Sequence, residues 1–313
     1  MTLGVYNNSA AFNVFSSLNS NRVAMTNSMS RLSTGNILTQ DDPSGIGISG
    51  RMRSQIRSTN QSRQSVDNGI SLIQTADAWL QKINDMLSRM KELSVEHGDG
   101  TKTNEDKKNL QLEFSNLQDE ISRITSKYSA AGKFNGLYLF RGGNGRAQIE
   151  DGVSSGNISL HIGADANQKV DISVVNLEED SAELIGTVST YDYNADNTLK
   201  SSSHVAVTWG SVINSDVMSA GSQFAIGKIA QAVDFVANSR SELGAQQSRL
   251  EQARSGLLKY QDNLQAAESK ISNVDVARES TELARSQVLS QVSTSMLTQA
   301  NQIPGTALNL ISV

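Results

Sequence analysis

Residues 45–50 read Gly-Ile-Gly-Ile-Ser-Gly, which satisfies the G-x-G-x-x-G pattern of a dinucleotide-binding turn. That chemistry needs a buried strand before the turn and a helix N-terminus facing the pyrophosphate after it. The flanks do not supply them. In Asn36-Ile-Leu-Thr-Gln-Asp-Asp-Pro-Ser44 only Ile37 and Leu38 are apolar, and Pro43 would deny a central strand a hydrogen bond. Asp41 and Asp42 put two carboxylates where a phosphate would approach. A helix is expected from about Arg51, with no second strand after it, so the match reads as structural. The other chemistry-bearing residues are equally unsupported. His97, His161 and His204 lack a metal-ligand partner at i+4, and no H-E-x-x-H, G-x-S-x-G or P-loop occurs. Adjacent Asp41 and Asp42 do not face one another as an acid/base pair would. The run Glu178-Glu179-Asp180 lacks the ligand spacing and glycine of a calcium loop. With no cysteine, thiolate metal sites, disulfides and cysteine nucleophiles are excluded. The expectation is a non-enzymatic protein without cofactor or metal.

Composition points the same way. A net charge of −5 argues against a nucleic-acid partner. Arg51, Arg53, Arg57 and Arg63 form a local basic run without interleaved aromatics, read as a solvated or subunit-facing helix side. No stretch approaches 18 apolar residues, so membrane insertion is not expected. The N-terminus has neither a basic n-region nor an apolar h-region, so no cleaved signal is expected. Aromatics make up only 5%, thin for one large globular core, and two prolines in 313 residues permit long helices.

The elements that these residues must sit on are mostly helical. Leu18, Met25 and Leu32 are seven apart, with Met29 between them. Val66, Ile73, Leu80 and Leu87 repeat the spacing, with Ala76, Ile83 and Met90 three residues after the last three. After a polar break at residues 97–103, Leu110, Phe114, Leu117, Ile121, Ile124 and Tyr128 alternate by four and three. Thr103 or Asn104 is the expected cap, with Glu105 and Asp106 in the first turn. Ile229, Val236, Leu243, Leu250, Leu257, Leu264 and Ile271 hold a strict seven-residue spacing. So long a 3.5-residue repeat means helices wound side by side. A helix over 222–272 would be roughly 76 Å long at 1.5 Å per residue, so the expected molecule is an elongated rod of antiparallel coiled-coil helices from both chain ends.

Residues 134–220 differ. Ile158-Ser-Leu-His-Ile162 and Val170-Asp-Ile-Ser-Val174 alternate apolar with polar and predict a β-hairpin. Residues 176–220 are polar and without pattern, predicting a small irregular or β-rich distal segment. Residues 1–35 and about 276–313 are amphipathic but rich in Ser, Asn, Gln and Thr. Alone they would fray, and they make sense if they order against other copies.

Both ends carry a more specific signal. Asn27-Ser-Met-Ser-Arg-Leu-Ser-Thr-Gly-Asn-Ile37, Asp41-Asp-Pro-Ser-Gly-Ile-Gly-Ile-Ser49, Arg51-Met-Arg-Ser-Gln-Ile56, Asn68-Gly-Ile-Ser-Leu-Ile-Gln-Thr-Ala76 and Arg89-Met-Lys-Glu-Leu-Ser-Val95 resemble the N-terminal arm of bacterial flagellin. Ser239-Arg-Ser-Glu-Leu-Gly-Ala-Gln-Gln-Ser-Arg-Leu250, Asn263-Leu-Gln-Ala-Ala-Glu-Ser-Lys-Ile271, Asp275-Val-Ala277 and Met296-Leu-Thr-Gln-Ala-Asn-Gln302 resemble its C-terminal arm. The resemblance covers about 1–140 and 222–310. Gly4-Val-Tyr-Asn-Asn8 matches only loosely, and Gly305 with a two-residue extension departs from the usual leucine-rich finish.

The resemblance implies a mainly α subunit of the flagellar filament, a helical polymer for swimming outside the cell, exported by the flagellar type III route. Residues 1–40 with 276–313 would form inner-tube helices, 41–175 with 221–275 a helical rod domain, and 176–220 a short solvent-facing segment. Packing between copies is expected at Leu18, Met25, Met29, Leu32, Asp41, Asp42, Gly45, Gly47, Val288, Val292, Met296 and Leu297. The glycines of 45–50 are read as small residues at a bend between two helices, where other backbones pack closely. Asp41 and Asp42 are expected to pair with arginines, so that Asp42→Ala weakens assembly more than monomer folding. Implied partners are the chain itself, filament cap and hook-associated proteins, an export chaperone on the C-terminal arm, and an innate immune receptor at Arg89, Leu93 and Glu113. A hook–filament junction protein and a secreted helical adhesin or effector are the alternative readings.

Overall fold

A computed structural model describes residues 8–37, 41–126, 130–140, 158–177, 184–193, 199–213 and 222–311. Glu178, Glu179, Asp180 and Tyr128 lie outside these residues. The chain is mainly α, with α1 (Ser9–Thr34), α2 (Pro43–His97), α3 (Asn104–Thr125), α4 (Trp209–Ile213), α5 (Ser222–Ser272) and α6 (Val276–Ile311). Three antiparallel strand pairs accompany them: β1 (Lys133–Phe134) with β2 (Leu137–Tyr138), β3 (Ile158–His161) with β4 (Lys169–Ile172), and β5 (Leu184–Tyr193) with β6 (Leu199–Thr208). The residues group into two compact units, 1–57 with 260–313 and 58–259.

Helix boundaries follow local chemistry. Asn8 caps α1 by accepting from the Ala11 N–H at 3.0 Å, and Gly35 ends it at φ 71°. Thr103 and Asp106 form a reciprocal capping box at the start of α3. Asp275 accepts from the Ala277 and Arg278 N–H groups at the start of α6. Pro43 occupies the first position of α2, where its missing N–H costs nothing.

The second unit carries the main core. On α2, Val66, Ile73, Ala76, Leu80, Ile83, Leu87 and Met90 are fully buried, as the heptad predicts. They meet Phe114, Ile121 and Ile124 of α3 and Ile229, Val236, Leu243 and Leu250 of α5 in one cluster. Ion pairs Asp77–Arg240 at 2.7 Å and Asp67–Arg254 at 3.1 Å join α2 to α5. The predicted hairpin forms with Ile158 opposite Ile172 and Leu160 opposite Val170. It lies on α2 where Gly69 leaves room: a Cβ there would meet Leu160, and Leu250 at 3.3 Å. Gln246 of α5 holds the chain just beyond β4, accepting from the Ser173 N–H and donating to its carbonyl, both at 3.2 Å.

Within residues 176–220 the β-rich form of the expected segment is present. β5 and β6 pair as two ten-residue strands, and Val207, Trp209, Val212 and Ile213 are buried in the main core. Few of these residues are apolar, so no period stood out, yet those few fill the core. A second tight turn has a local sequence signal. Asn135 (φ 48°) and Gly136 (φ 80°) make the two-residue connection between β1 and β2, as Asn-Gly favours.

Candidate self-association surface

In the first unit α1 and α6 pack antiparallel along an interrupted heptad. Ala11, Val14, Leu18, Asn21, Met25, Ser28 and Leu32 face Glu279, Leu283, Ser286, Ser290, Ser293, Leu297 and Ala300. Leu18, Ser28, Ser286 and Ala300 are buried and the rest half-buried. Small residues let the helices approach, and side-chain hydrogen bonds fix the register. Asn21 donates to Ser293 Oγ at 3.3 Å. Asn8 Nδ2 donates to the Ala300 carbonyl at 2.9 Å. That carbonyl lies four residues before Pro304, which has no N–H to offer it. The helix continues through Pro304 and Gly305 to Ile311, and the two-residue extension 312–313 lies outside the described residues.

The outer faces of the same helices are apolar as well. Phe12, Phe15, Val23 and Met29 on α1 are more than half exposed, and so are Val276, Val288, Val292, Met296 and Ile303 on α6. They are spread along both flanks of the helix pair. Nine large apolar side chains more than half exposed on one helix pair mark it as a candidate interaction surface.

Beneath this pair the two linkers are tied together. Asn36 bridges Asn273, the Ile37 N–H donates to the Ser272 carbonyl at 2.9 Å, and the Val274 N–H to the Gly35 carbonyl at 3.0 Å. Arg31 grips Asp41 with two hydrogen bonds of 2.9 and 2.8 Å and donates to Glu279 at 3.0 Å. Asp41 raises the guanidinium pKa most, against burial, and Glu279 adds to it. A second cluster lies close by: Arg53 and Ser49 donate to Glu268 at 2.6 and 3.0 Å, and Arg53 reaches Ser272 Oγ at 2.8 Å.

Glu268 makes this cluster pH-sensitive. Burial works against its ionisation, but Arg53 and the Ser49 hydroxyl outweigh it and hold the carboxyl below the usual range. A carboxyl with a depressed folded-state pKa stabilises above its unfolded value and loses that contribution as pH falls through the folded value. Local stability of the first unit is therefore expected to fall below about pH 4.5, the ordinary glutamate value. Acid titration followed by circular dichroism should show this slope, and Glu268→Gln should flatten it. An identical slope in the variant would exclude Glu268 as its source.

The comparisons with known proteins fit this geometry. The model of the bacterial flagellin N-terminal helical region matches residues 5–145, and that of the C-terminal helical region matches 226–311. The flagellar filament 33 kDa core protein of Treponema phagedenis is 34% identical over 94% of this chain and 94% of its own. The chain belongs to the flagellin family. Flagellin of Bacillus subtilis (strain 168) is likewise 34% identical, over 98% of this chain and 99% of its own. A crystal structure of Xanthomonas campestris FlgL aligns with 71% of this chain and 99% of its own, at 17% identity and a TM-score of 0.48. As a flagellin, the chain is a structural subunit of a helical filament that serves motility. The family's filament is extracellular, and among the described residues no helix is long and apolar enough to cross a membrane.

The flagellin fold sorts the expected contact residues into two groups. Met29, Val288, Val292 and Met296 face outward, whereas Leu18, Met25, Leu32 and Leu297 lie in the seam between α1 and α6 of one chain. The glycines are not at a bend. α2 starts at Pro43, so Gly45, Gly47 and Gly50 lie in its first two turns, and a Cβ on Gly47 or Gly50 meets nothing within 4 Å. A Cβ on Gly45 would first meet the Asp42 carboxylate. Asp42 does not pair with an arginine among the described residues. It caps α2, accepting from the Gly45 N–H and Ser44 Oγ at 2.8 Å, which lowers its pKa. Asp41 does meet its arginine. Leu93 is fully buried and cannot belong to a receptor-facing surface; Arg89 and Glu113 are exposed and paired at 2.8 Å. His97 ends α2 and His161 ends β3, and no metal-binding cluster occurs among the described residues. Phe12, Phe15 and Val23 were missed, although two phenylalanines off the heptad in a polar helix were the signal.

Proposed function

We propose that copies of this chain polymerise through the outward apolar rows of α1 and α6. The observation that carries this reading is that both helices are apolar on two faces, one satisfied within the chain and one uncovered. Residues 1–40 with 276–313 then form the wall of an inner tube, and 41–175 with 221–275 a helical rod domain whose core also takes in Val207, Trp209, Val212 and Ile213. The chain works without catalysis. It reaches the filament by the flagellar type III route, held by a chaperone on the C-terminal arm, and meets cap and hook-associated proteins at the filament ends. Arg89 and Glu113 are the part of the surface offered to an innate immune receptor.

Electron microscopy of the purified full chain, seeded with short filaments and salted out, tests the reading. Long uniform tubes are expected. Short capped stacks would favour a junction protein, and monomers under every condition a soluble effector.

A further inference from the structure

The two flanks of the α1/α6 pair differ in chemistry. With 3.6 residues per turn, Asn13 and Ser17 lie on one side of the buried row of α1, and Phe12 and Phe15 on the other. On the Asn13 side, α1 and α6 flank an open groove of about 250 Å³ lined by Asn13, Val14, Ser17, Val292, Ser293 and Met296. Ser17 spends its hydroxyl on its own helix, donating to the Asn13 carbonyl at 3.0 Å, so this rim asks little of water. On the opposite side Phe12 is 71% exposed and Phe15 57%. The α6 residues sharing that side by helical position are polar: Gln287, Gln291, Thr294 and Thr298.

We infer that Phe12 and Phe15 of one copy seat in the Asn13–Ser17/Val292–Met296 groove of a second copy. The inference rests on the self-association reading and adds its pairing. The groove has the size for it, since an engineered apolar cavity of roughly 150 Å³ accepts a benzene ring. A second copy is the occupant because this same two-helix unit supplies both the aromatic projection and the apolar recess. It supplies them on opposite flanks, so they cannot satisfy each other within one chain. A projection on one flank and its recess on the other make the contact heterologous, and a heterologous contact that does not close propagates as an open helix. A self-complementary patch would stop at a dimer.

The chain has no cysteine, so engineered thiols report on this pairing alone. Full-length Phe15→Cys and Ser17→Cys chains are each mixed at low ratio with unmodified chain, co-assembled on seeds, and treated with a short bis-maleimide. Phe15→Cys paired with Gln291→Cys, which lies on the wrong flank, is the control. Covalent dimers are expected from the first mixture at least tenfold above the control. Normal filaments with equal or no cross-linking in the two mixtures would overturn the pairing and leave self-association standing. Absence of filaments from the unmodified chain would overturn the self-association reading, and the pairing with it. A second arm avoids thiols: Ser17→Trp, which fills the groove, should raise the concentration needed for elongation about tenfold with monomer helicity unchanged. Unchanged elongation would count against the groove.

Discussion

Met296→Glu is expected to abolish filament growth while leaving the free chain folded. Met296 is 53% exposed on α6, so a carboxylate there keeps its water in the isolated subunit. In a polymer that covers this face the same charge is desolvated without a partner, at a cost of several kcal/mol. At 1.4 kcal/mol per decade, the subunit concentration supporting elongation should rise by about 100-fold or more. Met296→Leu keeps volume and polarity and should elongate normally. Sedimentation of seeded reactions measures the concentration, and far-ultraviolet circular dichroism checks the monomer. Growth of Met296→Glu at the ordinary concentration would remove α6's outer face from the contact. Loss of monomer helicity would instead place Met296 in the chain's own packing.

The largest effect on stability is expected at Trp209. It is fully buried at the start of α4, with its ring centroid 6.4 Å from that of Phe235. Trp209→Ala removes an indole from a closed core, so about 3–5 kcal/mol of stability in residues 58–259 should be lost. Trp209→Phe should cost far less than its lost area suggests. Among the described residues the buried indole N–H has no acceptor, and removing such a donor returns about 1–3 kcal/mol. Urea unfolding followed by circular dichroism separates the two, with Phe within about 1.5 kcal/mol of the parent. If Trp209→Ala unfolds like the parent, residues 199–213 do not belong to the core.

How much was legible before the structure depends on whether one stretch of chain carried the information. α5 spans the 222–272 that its heptad predicted, and the buried row of α2 is the predicted one, because period alone decides which side of a helix is apolar. The hairpin at 158–172 and the Thr103 cap were readable for the same reason: alternation and capping are local. The start of α2 was local too but misread. Glycines weaken a helix, yet Asp42 as cap and Pro43 at the first position outweigh three of them.

The sequence by itself therefore determined the long helices, the apolar rows that bind them, and the absence of any local motif for catalysis. Only the tertiary structure decided which apolar residues those rows leave over. Leu18 and Met29 look alike in a string of residues, and so do Leu297 and Met296. One of each pair is turned into the seam and the other to solvent by where the second helix lies. The Arg31–Asp41–Glu279 joint, the Asn8 bond that answers Pro304 and the burial of Trp209 are likewise contacts between distant stretches. Their energies depend on distance in space, which a one-dimensional period does not carry.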